Sequence, residues 1–171
     1  MQNKWTTAAT SGFLLALITI IITLVQTVFT PGTAINIALW LVKTVGSIWL
    51  LYYFLKEHSR LSESFTYGDG FRYGTMVAFF SSLICACYMF LHYAVIFPDM
   101  VAEQMSVAME MMASSNPDSV DMLEKIEGIL PHLVLGVTLV YYTIIGMIAS
   151  AIMANYTKTA TPFMEQENEN I

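Results

Sequence analysis

Lys43 is the residue whose type and setting most directly demand a chemical account. It stands inside a stretch from about Ala34 to Leu55 that carries no other charge. An ammonium in the middle of a membrane helix costs about 3 kcal/mol on insertion scales, and such groups usually face a protein interior or a cavity. Lys43 sits roughly 13 Å from the outer end of its stretch at helical rise. Gln26, His92 and His132 occupy the same half of the neighbouring apolar stretches, and Asp99, just past Pro98, is the nearest acid. Gln26, Lys43, His92, Asp99 and His132 therefore form a candidate polar cluster suited to an ion, a lipid or a proton. The alternative is that Lys43 extends its stem toward the headgroups and does nothing further.

Other chemistry-bearing residues point less far. Cys85 and Cys87 lie two apart, about 200° around a helix, so they face different directions and cannot pair with each other. Packing is their expected role. Met100, Met105, Met109, Met111, Met112 and Met122 invite a Cu(I) reading, but they form no repeated ligand motif and suit adaptable apolar faces better. His58, His92 and His132 lack the spacing of a metal helix, and no cofactor motif is visible. The run Phe65–Gly74 is glycine-rich and opens a helix, yet no strand precedes it and its spacing fits neither phosphate-binding pattern. Arg72 would be the donor if that segment held a phosphate or a lipid headgroup. Glu63 and Asp69 do not define an acid/base pair. No catalytic constellation emerges.

Four apolar stretches position these residues. They run over about 6–29, 34–55, 71–97 and 131–156, each long enough to cross about 30 Å of hydrocarbon as a helix. Thr30, Pro31 and Gly32 end the first with a turn, Pro98 stops the third, and Pro131 suits the first turn of the fourth. The first stretch exceeds the apolar core of a cleaved leader and is read as an uncleaved span. The fold class expected is all-α: a polytopic membrane protein of four transmembrane helices in a single domain, 1–171. Its hydrophobic content of 56% is too high for an ordinary soluble chain, and its net charge of −6 comes with no basic stripe for nucleic acid.

Lys4, Lys56, Arg60, Arg72 and Lys158 fall on one side if the spans alternate, against Lys125 on the other. The positive side stays in the cytoplasm. Both termini, the loop 56–70 and the tail 157–171 are then inside, with Trp5, Tyr52, Tyr53, Tyr73 and Tyr156 at the inner interface. The segment 98–130 lies outside as an acidic, Met-rich helical hairpin. Its first helix, about 99–113, aligns Val101, Met105, Met109 and Met112 on one face. Asn116 and Pro117 offer a cap and first residue for the second, which presents Val120, Leu123, Ile126 and Ile129 or Leu130.

Small side chains recur every fourth residue within the spans. Gly70, Gly74, Ala78, Ser82 and Ala86 mark a helix-packing stripe on the third, with Ala8, Gly12 and Ala16 on the first and Gly146, Ser150 and Ala154 on the fourth. Membrane helices associate through such close approach because hydrocarbon supplies no hydrophobic drive between them. The first and fourth sets lie at one depth, which predicts that those two helices touch. The third-span stripe serves the internal packing of the chain or a partner chain.

The whole arrangement resembles the bacterial domain-of-unknown-function 4199 family. The resemblance rests on four spans, the Lys in the second, the approach Ser64-Phe65-Thr66-Tyr67-Gly68-Asp69-Gly70-Phe71, the exit Ile96-Phe97-Pro98-Asp99 and the acidic external segment. It implies a bacterial inner-membrane protein with no assigned activity, and an accessory role beside polyprenyl-phosphate-type glycosyltransferases. It supplies no catalytic residues.

Two function classes follow. One is a non-enzymatic membrane subunit or accessory protein that packs with a membrane-protein partner or with its own copies, through the third-span stripe or the Met-rich face. The other is a small transporter, or an ion or lipid binder, built on the Lys43 cluster. Transporters usually show repeats or broken helices at mid-membrane, and four uninterrupted spans are expected here.

Overall fold

A computed structural model describes residues 4–62, 64–113 and 120–159, with the backbone alone at 104, 108, 112–113, 120–125 and 127. Five α-helices follow one another: α1 Lys4–Phe29, α2 Thr33–Arg60, α3 Tyr67–Leu91, α4 Pro98–Ala113 and α5 Val120–Thr157, with a π-helical turn, His92–Ile96, closing α3. Lys4–Phe29, Thr33–Arg60, Tyr67–Ile96 and Gly128–Thr157 are each long and apolar enough to cross a membrane. The protein is an all-α, multi-pass membrane protein. Large apolar side chains such as Trp49, Val45 and Ile152 stand more than half exposed, which lipid tolerates and water would not.

The chain divides into two compact units, one of residues 1–84 and 141–171, the other of residues 85–140. In the first, Ala8, Leu15, Leu51, Leu55, Tyr73, Val77 and Met153 form the core. The start of α1, the end of α2, the start of α3 and the end of α5 meet at one end of this unit. Tyr73 bonds Ser11, Ser59 bonds the carbonyl of Thr157, and a Cβ placed on Gly70 would meet Ala154 at 3.1 Å.

The small-residue stripes are seated on α3. A Cβ on Gly12 would lie 2.7 Å from the Cβ of Phe80 and 2.8 Å from the carbonyl oxygen of Val77. On the α5 side Gly74 abuts Ser150, Gly146 abuts Ala78, and the hydroxyls of Ser82 and Thr143 are 2.7 Å apart. The two glycines of the first-span and fourth-span stripes, Gly12 and Gly146, each approach α3, while Ala8 and Leu15 of α1 and Met153 of α5 belong to one core. Val77 and Ala78 point about 100° apart around the helix, so one helix offers close-approach surface in two directions. Ala86 is fully buried.

Helix boundaries also depart from expectation in two places. The fourth span does not open at Pro131; one helix runs from Val120 to Thr157 with Pro131 inside it. Proline removes a single amide from the ladder, and continuing the helix keeps the remaining backbone groups paired, as a bilayer requires. The third span runs unbroken to Ile96 but closes in a π-helical turn, with the Phe97 amide donating to the His92 carbonyl at 2.8 Å. Pro98 explains the ending: it disfavours α geometry at the preceding residue, and Phe97 accordingly takes φ −134°, ψ 56°.

The turn after α1 is tight. Asn36 donates from its side chain to the Pro31 carbonyl at 2.8 Å, and Thr30 adopts φ +37°. In the second unit Val101 and Met105 of α4 are buried and Met109 is half-buried, while Val107 and Met111 are exposed. The side chains of Met112 and Leu123, the expected cap at Asn116–Pro117, Glu63 and the tail beyond 159 lie outside the described residues.

Candidate functional site

The five residues of the sequence-derived polar cluster are divided between the units. Gln26 and Lys43 belong to the first. Gln26 donates to the Asn36 carbonyl at 3.5 Å, the limit of a hydrogen bond, across the α1–α2 turn. Lys43 is half-buried on α2. His92, Asp99 and His132 belong to the second unit. His92 is 1% exposed, with its Nδ1 3.1 Å from the Tyr88 hydroxyl and the rings of Tyr93 and Phe97 about it at centroid distances of 5.1 and 4.9 Å. His132 is exposed and sets its ring edge-on to Phe90; Asp99 is exposed.

A second site was only partly visible in the sequence. At the polar end of the first unit a pocket of about 300 Å³ is lined by Lys4, His58, Ser62, Ser64, Phe65, Asp69, Arg72, Tyr73 and Met76. Each wall has a local cause. Thr66 and Asp69 form a reciprocal helix cap: the Asp69 amide donates to the Thr66 hydroxyl at 3.2 Å, and the Asp69 carboxylate accepts from the Thr66 amide at 3.3 Å. The Thr66 hydroxyl, 2.9 Å away, donates to that carboxylate as well. This cap starts α3 at Tyr67, earlier than the apolar pattern suggests, and draws Asp69's charge toward the backbone.

The opposite wall is the end of α2. With 28 residues, α2 is about 42 Å long, more than the hydrocarbon core needs, so its last turn stands in the interfacial region. There His58 lies flat on Tyr73, ring centroids 3.9 Å apart and planes 3° apart. Tyr73 is buried rather than an interfacial ring, and its hydroxyl is 3.1 Å from that of Ser11. Burial lowers the His58 pKa below its ordinary value and the nearby Lys4 ammonium lowers it further, while Asp69 pulls the other way. His58 is therefore neutral at physiological pH.

The floor is a strap from the end of α5. Phe65, 1% exposed, donates its amide to the Thr159 hydroxyl at 3.1 Å and accepts from the Thr159 amide at 2.9 Å. Ser59 donates to the Thr157 carbonyl at 2.8 Å. Lys4 and Arg72 stand exposed at the rim. Among the described residues the arrangement sets two cations and the Ser64 hydroxyl against one carboxylate already holding two donors, a set whose chemistry suits an anion.

Arg72 was accessible to sequence reasoning as a donor, and the Thr66-x-x-Asp69 spacing is a capping signature that pattern reading can find. The company of Lys4 and His58 had no such signal, since both are distant from Arg72 in sequence. Among the described residues no group of three or more His, Cys, Asp or Glu side chains is placed to hold a metal.

A family model described as a protein of unknown function, DUF4199, matches residues 9–159. That range covers every pocket residue except Lys4. No curated protein and no solved structure matches the chain.

Proposed function

The chain belongs to the DUF4199 family, and from that premise we propose that it is a non-enzymatic membrane subunit whose working surface is the polar end of its first unit. One observation carries the reading. Segments far apart in sequence are tied there by buried bonds, Ser11 to Tyr73 and Ser59 to Thr157, around an open pocket. A surface that receives a partner or ligand gains affinity from being held in one geometry beforehand.

The same reading puts this end in the cytoplasm and the chain in a bacterial inner membrane, because Lys4, Lys56, Arg60, Arg72 and Lys158 gather on it. The bilayer is the first partner, and a membrane-protein subunit or a second copy of the chain is the other. The α3 stripe does not supply that protein contact, since Gly74, Ala78 and Ser82 are engaged by α5. The polar end, with Ser64 exposed on the pocket wall, remains for it.

The test places a photo-crosslinking residue at Ser64, exposed on the pocket wall, followed by purification of the full chain in mild detergent. A single crosslinked species at stoichiometric yield is expected. Intact protein recovered with no crosslink overturns the reading. For orientation, Ser64→Cys should react with an impermeant maleimide in inside-out vesicles; reaction in right-side-out vesicles reverses the topology.

The transporter or ion-binding alternative draws on Lys43 and on the π turn, since π turns recur at functional sites. That turn closes the span rather than breaking it at mid-membrane, where transporters place their discontinuities. Lys43→Met, with folding intact and cellular phenotype unchanged, removes the alternative.

A further inference from the structure

We propose that the pocket between Lys4, His58 and Arg72 binds a phosphate group, with the Arg72 guanidinium and the Lys4 ammonium as its charged donors and the Ser64 hydroxyl completing the shell. The inference rests on the reading of the polar end as the working surface and adds the chemical class of what enters it.

Charge is the first argument. Among the described residues Lys4 and Arg72 line the cavity with one acid, Asp69, and that carboxylate already accepts from the Thr66 amide and the Thr66 hydroxyl. Among the described residues neither cation lies in an ion pair with an acid; the pair Arg60–Glu57, at 3.9 Å, is elsewhere on α2. Among the described lining residues the two cations outnumber the one acid, a balance that favours an anion.

Donor count is the second. A carboxylate presents two oxygens, whereas a phosphate monoester presents three and a diester two charged oxygens flanked by two more. A forked guanidinium, a three-donor ammonium and the rotatable Ser64 hydroxyl match the larger set, and Arg is the side chain whose geometry suits phosphate best. His58 adds a ring nitrogen that gains a proton more readily once an anion is bound beside it. About 300 Å³ admits a phosphate with substituents and falls at the lower end of ordinary small-molecule sites.

Depth is the third. Trp5, next to Lys4, is 61% exposed, and the Lys56 ammonium rests 5.8 Å from the Tyr52 ring centroid on the adjoining turn of α2. Exposed tryptophan and paired Lys–Tyr mark the headgroup level of a bilayer. The pocket opens where phospholipid phosphates lie, so the group can arrive on a lipid or as free phosphate. Pre-arranged walls serve both: His58 is stacked on Tyr73, and Ser62 bonds the His58 carbonyl at 3.4 Å.

The experiment measures thermal stabilisation of the full chain in a neutral detergent on titration with dihexanoyl phosphatidic acid, dihexanoyl phosphatidylcholine or inorganic phosphate. Saturable stabilisation by phosphatidic acid, and little by phosphatidylcholine, is expected. In Arg72→Gln and in Lys4→Gln the apparent Kd should rise roughly tenfold or more, the worth of one charge-assisted hydrogen bond. Both side chains are exposed, so these variants fold. Saturation by inorganic phosphate at comparable concentration assigns the free anion as the source; saturation by the lipid alone assigns the headgroup. Equal stabilisation by phosphatidylcholine, unchanged affinity in both variants, or no saturable stabilisation overturns the proposal. If phosphate fails while the Ser64 crosslinker captures a partner, the phosphate assignment is wrong and the reading of the polar end stands; if both fail, both fall.

Discussion

Two histidines divide the chemistry of this protein. His58 sits at the polar end of the first unit, half-buried, stacked on a tyrosine from another helix and within the field of Lys4 and Asp69. His92 sits in the second unit, 1% exposed, enclosed by Tyr88, Tyr93 and Phe97, all within five residues of it in sequence. The first is a joint between remote segments beside an open pocket; the second closes the end of a single helix. The same side chain lines an open pocket where tertiary contacts leave it half-exposed, and is enclosed where aromatic rings surround it.

The sharpest way to break the comparison is to disturb the seat of α1 on α3 while leaving the second unit alone. A side chain on Gly12 meets the backbone of Val77, which cannot swing aside as a side-chain tip can. Gly12→Val should cost about 3 kcal/mol, at the upper end of overpacking effects. Loss of phosphate-dependent stabilisation should accompany the fall in Tm, because Lys4 rides on the same helix.

The complementary change is His92→Ala. Removing a buried ring and leaving the Tyr88 hydroxyl without it should destabilise by about 2 kcal/mol. Thermal unfolding should register that loss while the apparent Kd for phosphatidic acid stays the same. A parallel loss of binding would mean the two histidines do not have separate roles.

A smaller effect distinguishes them by pH. The folded His58 pKa lies below its ordinary value of 6.5. Above that value both folded and unfolded chains are neutral there, and the full stability is present. As pH falls through the ordinary value, the unfolded chain takes up a proton that the folded chain resists, so stability declines until the folded pKa is reached. Titrating Tm from about pH 8 to pH 5.5 should show a decline that His58→Gln flattens. With phosphate bound the decline should shrink, since the anion favours protonated His58 beside Lys4, Asp69 and Arg72. The smallest change lies outside both sites: Thr30 holds φ +37°, strained for a β-branched residue, and Thr30→Gly should raise stability by about 1 kcal/mol.

The sequence carried the membrane architecture because its physics is one-dimensional. Long apolar runs ending near Phe29, Leu55, Phe97 and Tyr156 must be spans wherever else the chain goes, and the Lys and Arg positions divide the connections into two classes. Four-residue spacing likewise marked Gly70, Gly74, Ala78 and Ser82 as a close-packing face. The helix boundaries were less accessible. A proline that can begin a helix can also lie inside one, and local pattern does not say which happens at Pro131.

What the tertiary structure alone decided was which faces meet. Periodicity tells a helix which side to bury and is silent about the neighbour, so the sequence does not show that Gly12 and Gly146 both approach α3. Tyr73 reads as an interfacial ring from its place near a span end, yet Ser11 and His58 enclose it. The pocket shares this cause. Lys4 is separated from His58 and Arg72 by two long apolar helices, and only the seating of α1 and α2 beside the capped start of α3 brings the three side chains to one rim. Hydropathy is a property of each segment and survives in the sequence; a site made where segments meet exists only once they have packed.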